Sequence, residues 1–174
     1  TLKPKRVIAP HPSTLRLITR SEYHQMAEAG ILTADEQVEL IAGQIIQKMP
    51  KGPAHSAICK RIETLLERCL GEQVLVRMHD HIQLGNYSEP EPDIAVVHPS
   101  DNFYESAHPI PSQVYLVVEV ADSTLEQDLT TKANLYAAEG IIEYWVVNVK
   151  AQQLHVFRDP LTDGYQRQII LKAQ

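Results

Sequence analysis

The chain has 174 residues, of which 44% are hydrophobic and 22% charged, so we expect one folded domain over residues 1–174 and not a disordered or fibrous protein. Acidic residues outnumber basic ones, and the formal net charge of −6 predicts weak sequence-independent attraction to nucleic-acid phosphates. With only two cysteines, Cys59 and Cys69, and no apolar run of membrane or signal-peptide length, the sequence favours a soluble, cytoplasmic protein without a disulfide framework.

The first elements predicted along the chain are an arm and a short helix. Residues 1–18 are rich in proline and basic side chains and are expected to form the arm. Residues 21–29 predict the helix, with Ser21 as its N-cap and Gly30 as the residue that ends it.

A β-hairpin and a longer helix are predicted next. Two short apolar runs, residues 38–41 and 44–49, are separated by an Ala-Gly turn and predict the hairpin. In residues 55–70 the apolar side chains recur at helical spacing, and Gly71 ends the pattern. If both cysteines lie on this helix, they are about 15 Å apart along its axis and cannot be bridged.

The middle of the chain predicts an antiparallel meander. Residues 74–78, 81–84 and 93–97 have the short apolar patterns of strands. The proline-rich stretch 101–113 predicts a surface loop. Residues 114–121 (VYLVVEVA) are the most strongly apolar of the predicted strands.

A helix and three strands complete the predicted fold. Residues 123–139 predict a helix in which Ser123 and Glu126 have the spacing of a capping box. The last three strands are predicted at residues 142–149, 154–158 and 165–171. A buried strand, a helix and another apolar strand indicate a βαβ crossover. The predicted fold class is therefore α/β, with a mixed central β-sheet flanked by helices and an N-terminal β-hairpin.

Glu119 is the most informative single residue, because it interrupts an apolar strand that we expect to be covered on both faces. An ionised carboxylate in such a place is costly unless a cation, an opposite charge or hydrogen bonds compensate for the lost water. A glutamate at the rim of the sheet, or one paired with an arginine, is the structural alternative, and the sequence leaves both open.

Asp93 follows Pro92 at the mouth of another apolar strand. The Pro-Asp pair alone is a weak signal, because both residues are common at turns. Two carboxylates carried by strands into one interior nevertheless favour a hard divalent cation between them. Without the cation, the repulsion of the like charges would force one carboxylate to take up a proton.

Lys132 lies on the predicted helix 123–139, four residues after Asp128. This spacing fits an exposed ion pair on the helix surface, worth roughly a few tenths of a kcal/mol. It equally fits an ammonium group above a metal site, where it would orient a water molecule or stabilise charge on a phosphoryl transition state.

Histidine and aromatic pairs allow both ligand-binding and structural interpretations. His79 and His81 fall on one face of an extended segment, where a transition metal could bind two imidazoles. No cysteine or third histidine stands at a recognisable zinc spacing, so solvent-facing histidines are the favoured interpretation.

Tyr144 and Trp145 fit a base-stacking platform, but their apolar neighbours favour core packing.

An ordered series of segments covers most of the chain and resembles one known family. The segments are residues 91–97 (EPDIAVV), 116–124 (LVVEVADST), 128–132 (DLTTK), 135–141 (LYAAEGI) and 143–147 (EYWVV). Together they resemble the Uma2 family of restriction-endonuclease-like proteins, which is common in cyanobacteria. Residues 38–46 resemble the N-terminal hairpin of that family.

The resemblance implies a restriction-endonuclease-like core of the PD-(D/E)XK nuclease superfamily. It implies that Asp93 and Glu119 bind Mg²⁺ (or Mn²⁺), that Lys132 assists catalysis and that Glu39 supplies a further acidic group. The lysine of such cores normally stands two residues after the glutamate, where this chain has Ala121. The departure places the expected lysine on the next helix. His55 fits either a residue approaching the site or a helix cap.

The function implied is metal-dependent hydrolysis of DNA phosphodiester bonds by a cytoplasmic endonuclease. A homodimer is expected, because two symmetric sites match the two strands of duplex DNA. The alternative is a catalytically weak or inactive module that keeps the nuclease fold for binding or regulation. The acidic net charge and the displaced lysine favour this alternative.

Overall fold

The computed structural model describes residues 15–173. Most of the predicted arm falls on residues 1–14, which lie outside the described residues. Within the described part, the strands are β1 (Val38–Ile41), β2 (Gln44–Gln47), β3 (Leu75–Met78), β4 (Ile94–Val97), β5 (Val114–Ala121), β6 (Glu143–Asn148), β7 (Gln153–Leu161) and β8 (Gly164–Lys172). The helices are α1 (Arg20–Glu28), α2 (Pro53–Leu70), α3 (Leu125–Gln127) and α4 (Ala133–Ala138), with a π-helical turn at Asp128–Lys132 and 3₁₀ turns at Gly71–Gln73 and Pro111–Gln113.

The central sheet has six strands in the order β3-β4-β5-β6-β7-β8, and β1 pairs with β2 in a separate hairpin. Strand β5 is parallel to β6, and the other neighbours in the sheet are antiparallel. The predicted α/β class, mixed sheet, N-terminal hairpin and βαβ crossover are therefore confirmed. The crossover consists of α3, the π-helical turn and α4.

Both faces of the sheet are covered by apolar packing. Ile94, Val96 and Val118 belong to a cluster with Leu66 of α2. Alternate positions of the same strands belong to a second cluster, with Tyr136 of the crossover and the buried Tyr144. Successive side chains of a strand point to opposite faces, so a strand covered on both sides reads as a continuous apolar run. Core packing of Tyr144 is confirmed.

Glu119 lies between Val117 and Ala121, and both of these neighbours pack in the cluster that contains Tyr136. Because alternate residues share a face, Glu119 also faces the crossover. The glutamate is 4% exposed, so the rim alternative for Glu119 is wrong. Its charged head lies beneath the helical segment that carries Lys132.

Several predicted elements differ from the observed ones. Residues 81–84 do not form a strand but an extended segment with one isolated bridge, Leu84 to Ser88. Helix α1 is capped by Thr19, whose side chain and Glu22 form a capping box, and not by Ser21. The predicted capping box in the crossover is also absent, since α3 begins after Thr124 without a side-chain cap.

The predicted helix 123–139 is interrupted at its centre. Residues Asp128–Lys132 form a π-helical turn, and α4 ends at Ala138. A π turn is a short feature inside an otherwise α-helical segment. The apolar residues of the crossover are spaced three or four apart on both sides of it, so the periodicity predicts one continuous α-helix. The turn changes the direction in which the following side chains point.

Two further expectations are met by the described residues. Cys59 and Cys69 both lie on α2 and both are free thiols. Among residues 15–173, no helix combines the length and the apolar character needed to cross a bilayer.

Candidate active site

Asp93 and Glu119 lie side by side at the junction of β4 and β5. The pairing of Ile94 with Val118 places Asp93 opposite Glu119 when the antiparallel register is extended by one residue. The Asp93 carboxylate accepts a hydrogen bond from the Val120 N–H at 2.8 Å, and the Asp93 N–H lies 3.4 Å from Glu119 Oε2. Both residues are 4% exposed. The structure thus brings the two predicted metal ligands together.

Lys132 reaches the same place from the π-helical turn. Its Nζ lies 3.0 Å from Glu119 Oε1 and 3.2 Å from Glu39 Oε1, so one ammonium group joins two strands of different sheets. The Tyr136 hydroxyl donates to the same Glu119 oxygen at 3.0 Å. The four residues predicted to carry the chemistry, Asp93, Glu119, Lys132 and Glu39, therefore occupy one region, and their catalytic roles stay predictions.

The exposed ion pair that the Asp128–Lys132 spacing allows is not what the structure shows. Asp128 and Lys132 are both buried, at 3% and 7% exposure. Asp128 accepts a hydrogen bond from the Thr124 hydroxyl at 2.6 Å, while Lys132 pairs with Glu119 and Glu39. The surface interpretation of this pair is therefore wrong.

The other oxygen of Asp93 contacts three basic groups, and of these the sequence points to the two histidines but not to the lysine. Lys51 Nζ lies 2.8 Å, His55 Nε2 3.1 Å and His79 Nδ1 3.7 Å from Asp93 Oδ1. Lys51 comes from the loop before α2, and His55 from the first turn of that helix. The expectation that His79 faces solvent is wrong, because its side chain is only 32% exposed and lies beside Asp93.

Burial and charge act differently on the pKa values of the two carboxylates. Burial raises the pKa of Glu119 to about 8, because attraction to Lys132 offsets the lost hydration only in part and Asp93 and Asp128 repel the charge. Burial alone would also raise the pKa of Asp93, but the contacts with His55 and Lys51 hold it well below its usual range. Asp93 is thus ionised at neutral pH, whereas Glu119 takes up a proton more readily than an exposed glutamate.

Burial and neighbouring charges also shift the pKa values of Lys132 and Asp128. Burial alone would lower the pKa of Lys132, but attraction to Glu119, Glu39 and Asp128 outweighs it and raises that pKa above its usual range. The pKa of Asp128 is raised, first by burial and then by other carboxylates, against the attraction of Lys132 and the Thr124 hydrogen bond. Lys132 therefore stays charged among acids.

These residues line a small acidic cleft with a cavity volume of about 100 Å³. A cavity of this volume holds a cation and a few waters. The cleft is lined by six acids and three lysines, namely Glu39, Glu91, Asp93, Glu119, Asp122 and Asp128, and Lys48, Lys51 and Lys132. This excess of carboxylate oxygens is the donor set that Mg²⁺ prefers, so the residues present fit a divalent cation.

The sequence analysis does not identify Lys51 or Tyr136 as residues of the site. Tyr136 is fully buried, and its hydroxyl contacts a predicted metal ligand. The apolar periodicity of the crossover hides this role, because tyrosine fits the core-facing stripe of a helix. Lys51 carries no local signal, since its contact with Asp93 depends on how the loop returns to the sheet.

Comparisons with known proteins agree with this fold. None of the curated proteins matches the chain. Among solved structures, the chain is similar to a "putative nuclease belonging to DUF820 from Anabaena variabilis ATCC 29413", with a TM-score of 0.69 and 20% sequence identity over 90% of this chain and 85% of that chain. At this identity the likeness shows a shared fold. The model of the Uma2 family, described as "Putative restriction endonuclease", matches residues 20–174, and the chain therefore belongs to the Uma2 family.

Proposed function

We propose that this protein is a divalent-cation-dependent deoxyribonuclease that hydrolyses DNA phosphodiester bonds within one nuclease domain. The observation that carries the proposal is the pairing of Asp93 and Glu119 across adjoining strands, with Lys132 3.0 Å from the glutamate. The family description and the nuclease-like fold support the same reaction class.

Asp93 and Glu119 would hold Mg²⁺, or Mn²⁺ in its place, through carboxylate oxygens. A bound divalent cation supplies Lewis acidity, neutralises phosphate charge and lowers the pKa of a coordinated water. The Val120 N–H fixes the orientation of the Asp93 carboxylate, and the Tyr136 hydroxyl fixes that of Glu119. The two ligand side chains are thereby positioned before any substrate arrives.

Lys132 would stabilise the negative charge that builds on the phosphoryl group in the transition state. Its ammonium remains protonated because Glu119 and Glu39 lie within 3.2 Å. The phosphodiester backbone would approach from the mouth of the cleft, which Lys132 and the acidic side chains line. A cytoplasmic homodimer would present one such site to each strand of a duplex.

The test is a plasmid-nicking assay with the purified chain in Mg²⁺ and in Mn²⁺. Nicking should appear with either cation, vanish in EDTA, and fall by at least about 100-fold in Asp93→Asn and in Glu119→Gln, since each removes a ligand. Glu126→Gln is the matched control, because this carboxylate lies on the same crossover but does not line the cleft.

Two results would contradict the proposal in different ways. Nicking of equal rate in wild type and Asp93→Asn would assign the activity to a contaminant. Thermal stabilisation by Mg²⁺ without any nicking would favour a cation-binding module without catalysis, an alternative consistent with the net charge of −6.

A further inference from the structure

A second set of metal-binding atoms lies on the helix side of Asp93. His55 and Cys59 are four residues apart on α2, so they stand one above the other on the same helix face. One ligand atom from each of His55, Cys59 and Asp93 lies within 4.8 Å of the other two. This spacing of two ligands on one helical turn, with a third from a strand, is independent of Glu119 and Lys132.

The donors in this cluster differ chemically from those of the acidic cleft. An imidazole nitrogen and a thiolate sulfur prefer borderline and soft dications such as Zn²⁺ and Co²⁺, whereas Mg²⁺ prefers oxygen. With bond lengths of about 2.0–2.3 Å to nitrogen, oxygen and sulfur, the donors of a tetrahedral site are about 3.5 Å apart. The observed cluster needs movements of about an ångström or less to reach that geometry.

Burial and mobility at the cluster are compatible with such a site. Cys59 is fully buried, and the His55 side chain is 13% exposed. Lys51 contacts Asp93 Oδ1, and its side chain is 26% exposed. Because this long side chain can rotate about several bonds, its ammonium can move to solvent when a metal replaces it. His55 also lines the cleft, so the cluster borders the proposed Mg²⁺ site.

We propose that His55, Cys59 and Asp93 form a binding site for a zinc-type transition-metal dication, and that its occupation prevents Mg²⁺ from using Asp93. On binding, the S–H bond of Cys59 is broken, a metal–sulfur bond forms and the proton passes to solvent, without any redox change. The competition with Mg²⁺ rests on the proposed function, whereas binding of the transition metal does not.

Co²⁺ tests the binding directly, because a cobalt–thiolate bond has a charge-transfer absorption in the near ultraviolet. Titration of the wild-type chain should produce this band with one Co²⁺ per chain, and Zn²⁺ should abolish it. The band should persist in Cys69→Ser, which removes the exposed cysteine of the same helix, and in Glu119→Gln. It should be lost in Cys59→Ser and weakened at least about 10-fold in affinity in His55→Gln.

Absence of the band in wild type, or its retention in Cys59→Ser, would overturn the site. Circular dichroism shows whether each variant is folded. If Cys59→Ser does not fold, the cobalt affinity of His55→Gln provides the test. Because the two variants change different ligands, either one that folds is sufficient to test the site.

Competition is measured with Mn²⁺, whose free ion is detected by electron paramagnetic resonance. One equivalent of Zn²⁺ should release bound Mn²⁺ from wild type and not from Cys59→Ser. It should likewise inhibit nicking by wild type and not by Cys59→Ser. Cobalt binding without Mn²⁺ binding would refute the proposed function and leave the transition-metal site standing. Cobalt binding with undiminished Mn²⁺ binding would refute the competition alone.

Discussion

Lys132 and Glu119 form an ion pair inside the protein, with Nζ 3.0 Å from Oε1 and side chains that are 9% and 5% exposed. The two residues are joined by the crossover, and the same ammonium contacts Glu39 of the N-terminal hairpin at 3.2 Å. One cation thus links the central sheet, the crossover and the hairpin, so the stability of the fold and the geometry of the site depend on the same side chain.

Lys132→Met should lower the free energy of unfolding by about 3–5 kcal/mol, because it leaves buried carboxylates without their partner. The matched control is Lys150→Met, which removes an exposed pair with Asp122 at 71% and 62% exposure and should cost at most about 1 kcal/mol. Urea unfolding measures both. Adding Glu119→Gln to Lys132→Met should recover part of the loss, and equal stability of the two lysine variants would show that the buried pair contributes nothing.

Tyr136→Phe removes the hydroxyl that donates to Glu119 Oε1 at 3.0 Å. A hydrogen bond to a charged acceptor contributes about 1.5–3 kcal/mol, so the variant should be less stable than Tyr165→Phe, which loses a bond to the Ile141 carbonyl at 2.8 Å. Because the hydroxyl orients a proposed ligand, Mn²⁺ affinity should fall about 10-fold or more in Tyr136→Phe alone. An unchanged affinity would show that Tyr136 has only a structural role.

Gly43→Ala should destabilise the hairpin more than Gly30→Ala destabilises the end of α1. Both glycines have positive φ, +76° and +70°, but a Cβ at Gly43 would lie 2.6 Å from the Cβ of Leu17, while none of the described atoms lies within 4 Å of one at Gly30. Left-handed strain of about 1–2 kcal/mol is common to both, so the difference measures the steric clash. Thermal unfolding that shows equal losses would place Leu17 elsewhere.

The capping box of α1 predicts a specific pH dependence. Hydrogen bonds from the backbone and side chain of Thr19, together with Arg16, lower the pKa of Glu22 to about 2 from an ordinary value of 4.5. The folded state therefore binds this proton more weakly than the unfolded state, so the stabilisation is complete above about pH 4.5 and is lost as the pH falls toward 2.

Glu22→Gln should therefore lower the melting temperature at pH 6, and the difference from wild type should shrink as the pH approaches 2. In a Thr19→Ala background the same substitution should have a smaller effect, since the hydroxyl contact is lost while the backbone N–H of residue 19 and Arg16 still contact Glu22. A difference that stays constant across this pH range would contradict the capping role of Glu22.

The sheet and the meeting of its two carboxylates were predictable because short-range patterns determine them. Continuous apolar runs indicate strands that are covered on both faces, and an acidic residue at the end of one run or inside another stands out. Asp93 and Glu119 then approach each other because β4 and β5 are neighbours in the sheet. The signal for Thr19 was also present, as the spacing to Glu22 is that of a capping box, but Ser21 was preferred.

Contacts that depend on tertiary structure were not predictable in the same way. Residues 81–84 alternate polar and buried apolar side chains as a strand does. The backbone N–H of Ile82 nevertheless bonds to the carbonyl of Pro90 and that of Gln83 to the carbonyl of Pro109, and not to a neighbouring strand. The convergence of Lys51 and His79 on Asp93 likewise depends on loop paths that no local pattern encodes.

The π-helical turn at Asp128–Lys132 has a consequence for how this site can vary. A residue added to or deleted from a helix rotates everything beyond it by about 100°. The direction of Lys132 is therefore governed by the number of residues in the crossover as well as by their identity. Loss of one residue between Asp128 and Lys132 would carry the lysine out of the cleft while Asp93, Glu119 and Glu39 remained in place on their strands and loop. A small deletion here can therefore remove the ammonium group from the site without altering the sheet.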